Sequence, residues 1–85
     1  MAITFTTDVR PLFRAKDITC MTPGGVRLDD PAWMCDHAGD ATYPDHANAN
    51  RVFAALSAGK MPPDGAWPAE RLAIYRDWMT GGFIP

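Results

Sequence analysis

Ala49-Asn50-Arg51-Val52-Phe53-Ala54-Ala55-Leu56 is the stretch on which the fold turns. Ala49, Val52, Phe53 and Leu56 stand at i, i+3, i+4 and i+7, the apolar stripe of a helix that lays one face on a core. Pro44 upstream and Gly59 downstream bracket a predicted helix over about 44–58. Toward the C-terminus, Pro68 opens and Gly81-Gly82 closes a second helix over about 68–80, whose buried face is Leu72, Tyr75, Trp78 and Met79. Toward the N-terminus, Asp30 is a good N-cap and Pro31 a good first residue for a helix over about 30–38. It carries Trp33, Met34 and His37, and Gly39 stops it. A fourth helix is expected over about 7–16, with Thr7 as its cap, Asp8 and Lys16 matched to the dipole, and Val9, Leu12 and Phe13 on one face below Phe5. Pro11 lies early enough in it to do little harm. No strand pattern of similar strength occurs, so the fold class is all-α, with loops at 17–28 and 60–67.

The chain has 85 residues, close to the size at which a hydrophobic core alone barely suffices. Its 47% hydrophobic and 21% charged residues are ordinary globular usage and exclude a disordered chain. A net charge of −2 leaves no basic footprint for nucleic acid. The longest uncharged stretch is too short to span a membrane. Asp8 and Arg10 interrupt the first ten residues, so no signal peptide is read there and a cytoplasmic location is expected. In that compartment Cys20 and Cys35 are expected as reduced thiols. Two sizeable loops in so short a chain call for something they wrap around.

Two blocks carry a family resemblance. The first is Asp8-Val9-Arg10-Pro11-Leu12-Phe13, followed through Arg14-Ala15-Lys16 by Asp17-Ile18-Thr19-Cys20-Met21. The second is Gly59-Lys60-Met61-Pro62-Pro63, then Trp67-Pro68, Leu72, Trp78 and Gly81-Gly82. In order and spacing they resemble the compact bacterial c-type cytochrome domain over about residues 5–82. The resemblance implies a single cytochrome c-like domain spanning 1–85, first and last helices packed together, and Met61 at the place of the axial methionine. Where that family has C-x-x-C-H, this chain has Asp17-x-x-Cys20-Met21: Asp17 replaces the first attachment cysteine and Met21 the proximal histidine. The implied protein is a haem-depleted member. An emptied haem pocket would then be filled by Met21, Met61, Met34 and Trp33.

Three functional readings follow. The leading one is a non-enzymatic binding module without a cofactor, acting on a partner protein or small ligand. The second is a redox or haem-binding protein in which Met21 and Met61 hold a non-covalent haem, or one attached through a single thioether at Cys20. The third rests on the segment 28–50, which holds Asp29, Asp30, Asp36, Asp40 and Asp45 and only acidic charge. Within it Cys35, His37 and His46 offer thiolate and imidazole ligands suited to zinc or copper. An enzyme is not expected: no G-x-S-x-G, P-loop or H-E-x-x-H is present, and Cys35 and His37 at i, i+2 do not face each other on a helix.

Overall fold

The computed structural model describes residues 3–59 and 67–85. Its described residues are helical, without a strand. A π-type turn at Phe5–Val9 and a 3-10 turn at Arg10–Leu12 lead into helix α1, Ala15–Met21. A second 3-10 turn, Thr22–Gly24, precedes the single-turn helix α2, Pro31–Met34. Helices α3, Ala47–Ser57, and α4, Ala69–Thr80, complete the order.

The core forms where the two longest helices meet the N-terminal turn. α3 buries Ala49, Val52 and Leu56 of the expected stripe, and Ala47 besides, while Phe53 of that stripe is half-buried. α4 buries Tyr75 and Trp78 completely. Trp78 packs on Phe5 with ring centroids 5.5 Å apart, so the first and last helical segments are in contact. Its indole N–H donates to the carbonyl of Ile84 at 2.9 Å, and the N–H of Phe5 donates to the same carbonyl at 2.8 Å. The chain ends are thereby tied together around one indole. Trp67 is buried against Phe13, with centroids at 5.2 Å. The Tyr75 hydroxyl, fully buried, donates to the carbonyl of Ala49 at 2.8 Å and joins α4 to α3.

The element bounds depart from the sequence pattern in four places, each with a local cause. The helix expected over 7–16 is broken. Thr4, rather than Thr7, caps the first turn, accepting from Thr7 N–H at 3.3 Å while its own N–H donates to Asp8 at 2.9 Å. Pro11 cannot continue a ladder, and Phe13 and Arg14 turn extended, with ψ of 129° and 158°. The helix then restarts at Ala15 and runs on to Met21, into the stretch read as a loop, because Asp17 caps it: its carboxylate accepts the backbone N–H of Arg14 at 2.9 Å. α2 has the expected start, Asp30 accepting from Ala32 N–H at 3.0 Å, but stops at Met34. There the Asp36 carboxylate takes the N–H of Ala38 at 3.0 Å and offers the backbone an alternative to the helix. α3 starts at Ala47, since His46 is left-handed at φ 46°. α4 ends as expected, with Gly82 at φ 106° and the Phe83 N–H returned to the Trp78 carbonyl at 3.1 Å.

Candidate functional site

The segment between α2 and α3 is a closed loop built from its aspartates. Asp40 accepts the N–H groups of Thr42 and Tyr43 at 2.8 and 2.9 Å, and its own N–H donates to the Tyr43 carbonyl at 2.7 Å. The N–H of His46 donates to the His37 carbonyl at 3.1 Å, and that of Ala47 to the Ala38 carbonyl at 3.0 Å. Gly39 lies so close to the Pro44 carbonyl that a Cβ there would collide with it. The loop aims Asp40 at Arg51 on the next helix, and the two form an ion pair. The Tyr43 ring lies 5.9 Å from the same guanidinium. The two N–H donors and the Arg51 charge hold the Asp40 carboxyl below the usual carboxylate range.

Arg51 borders a cavity of about 210 Å³ between the end of α1 and α3. Met21, Val26, Trp33, Val52 and Ala55 form its apolar wall, and Gly24 and Gly25 leave one side without side chains. Asn48 completes the polar part, its amide nitrogen donating to the Trp33 carbonyl at 3.0 Å. Of the residues expected to fill an emptied pocket, Met34 is fully buried in the core. Met21 and Trp33 stay half-buried on the cavity wall instead of closing it. Gly24 and Gly25 opposite bring no side chain to fill the space. Met61 lies outside the described residues.

The remaining sequence candidates are dispersed. Cys20 is an exposed free thiol on α1, and Cys35 is a half-buried one just after α2. His37 is exposed. His46 lays its ring flat on Phe83, centroids 3.7 Å apart, with Nδ1 3.1 Å from the Asp45 carboxylate. Among the described residues no three His, Cys, Asp or Glu side chains converge on a point where an ion would sit. Among the described residues the cavity wall offers one soft ligand atom, the Met21 sulfur, and neither histidine belongs to it. Asp40, Asn48 and Arg51 were not legible as site residues, since nothing in sequence pairs a loop aspartate with an arginine on the next helix.

Burial raises the Cys35 thiol from its ordinary 9.0, and burial, then the nearby Cys35, raises the Tyr75 phenol well above its ordinary 10.0. Both groups are neutral when protonated, so the native state holds their protons longer than the unfolded chain does. Stability is full below these ordinary values and falls as pH climbs through the raised ones. The urea midpoint is expected to be level from pH 7 to 8 and to drop by pH 10.5, and Tyr75→Phe should reduce that drop. A midpoint that rises over this range would contradict the assignment.

No helix among the described residues is long and apolar enough to cross a membrane. No family model, curated protein or solved structure matches the chain.

Proposed function

We propose that this chain is a non-enzymatic binding module on a cytochrome c-like scaffold that has dispensed with covalent haem, and that it takes a small ligand in the cavity beside α3. The cavity carries the reading. It is apolar over most of its wall, it keeps Trp33 and Met21 half-exposed, and it has two polar side chains at one end. Binding sites for small molecules have this make-up: an apolar lining with a few placed polar groups. Two further observations support it. The residue aligned with the first attachment cysteine, Asp17, is committed to capping α1, and among the described residues the cavity wall holds no imidazole.

The test uses the untagged full chain. Its absorption spectrum is expected to show no Soret band, and hemin at micromolar concentration to give no saturable shift. Indole, as a neutral ring probe, is expected to perturb NMR signals of Val26, Val52 and Ala55 and to lose that effect in Ala55→Phe. A Soret band, or hemin binding abolished by Met61→Ala, would replace this reading with the redox one. Indole shifts confined to other residues would overturn it.

A further inference from the structure

We infer that the ligand of this cavity is a small aryl-alkyl carboxylate, its ring against Met21, Trp33 and Val52 and its carboxylate on Arg51. The inference rests on the cavity being the binding site. Size sets the first limit: about 210 Å³ exceeds the ~150 Å³ of an engineered apolar cavity that holds benzene, leaving room for one ring and a short chain. The missing side chains at Gly24 and Gly25 set the shape. A Cβ at either would meet no atom within 4 Å, so that side is open to a flat group.

Charge sets the class. Among the described residues the wall contains one charged side chain, Arg51, and no carboxylate. The acidic residues nearest in sequence are engaged elsewhere: Asp30 caps α2, Asp36 holds Ala38 and Asp45 holds His46. Asp40 does pair with Arg51, but through one terminal nitrogen. A guanidinium has five N–H donors in a fixed fork, so one neighbour leaves an edge for a second carboxylate. Asp40 is itself fixed by two backbone N–H groups, and Tyr43 flanks the guanidinium. The fork is thus oriented before a ligand arrives, which lowers the ordering cost of binding. Asn48 is likewise fixed, its amide nitrogen spent on Trp33 and its carbonyl oxygen left as an acceptor.

The experiment compares 3-phenylpropanoate with its isosteric neutral amide by calorimetry at low salt. The acid is expected to bind about tenfold more tightly than the amide. Arg51→Gln, at an exposed position, should erase that preference by weakening the acid far more than the amide. Ala55→Phe, or Gly24→Leu if the first variant fails to fold, should weaken both. Equal affinity for acid and amide in the native protein, with both lost in the blocking variant, overturns the carboxylate and leaves the cavity as a site for neutral rings. A preference that survives Arg51→Gln also overturns it. Failure of acid, amide and indole alike to bind at millimolar concentration overturns the cavity reading itself.

Discussion

Trp78→Ala is expected to lower the free energy of unfolding by about 3–5 kcal/mol, most of what an 85-residue domain has. The indole is completely buried and meets three rings, Phe5 at 5.5 Å, Tyr75 at 5.1 Å and Phe83 at 5.3 Å. Removing it leaves a void bounded by elements from both ends of the chain, which cannot all collapse into it. It also removes the donor to the Ile84 carbonyl. That carbonyl keeps the Phe5 N–H, so the hydrogen-bond loss is the smaller part. Trp78→Phe separates the two contributions: it keeps a ring and loses the donor, and should cost about 1–2 kcal/mol. Urea unfolding followed by circular dichroism reads both. A Trp78→Ala loss below ~1 kcal/mol would mean that the terminal seam does not hold the fold.

The dependence on Trp78 was legible in advance because the stripes of α3 and α4 are set by helical periodicity, which needs no partner to be read. Ala49, Val52 and Leu56 on one helix and Tyr75 and Trp78 on the other are buried as their spacing requires. Periodicity failed where side chains bond to the local backbone. Asp17 caps a helix that starts at Ala15 and runs into an expected loop, and Asp36 stops one short. Such bonds depend on a single carboxylate finding one N–H, and no repeat marks them. The acidic segment shows the same limit at the site. Five aspartates without a basic residue suggest a metal or a solvated face, whereas most of these carboxylates tie the loop to itself. Their product is the placement of Arg51, which depends on a tertiary contact. Met21 and Trp33, expected to fill an emptied pocket, lie half-buried on the cavity wall.

Asp17→Cys is the second large expected effect, a loss of about 2–4 kcal/mol. Asp17 is 3% exposed, the single buried charged residue among those described. One carboxylate oxygen accepts the Arg14 backbone N–H at 2.9 Å and lies 3.2 Å from Nε, and the other lies 2.8 Å from a terminal guanidinium nitrogen. A thiol satisfies none of these donors well and leaves the helix start uncapped. Arg14 is about half exposed, so water reaches its guanidinium and keeps the loss below that of a fully buried pair. Asp17→Asn retains an acceptor for the backbone N–H but loses the charge, and should fall between native and Asp17→Cys. The order native, Asn, Cys in urea midpoint is the result to look for. Equal midpoints would show that the pair contributes nothing. Asp17→Cys would also place a cysteine where the resembled attachment motif has its first one. The position that the resemblance aligns with the first attachment cysteine is thus the one that holds the start of α1.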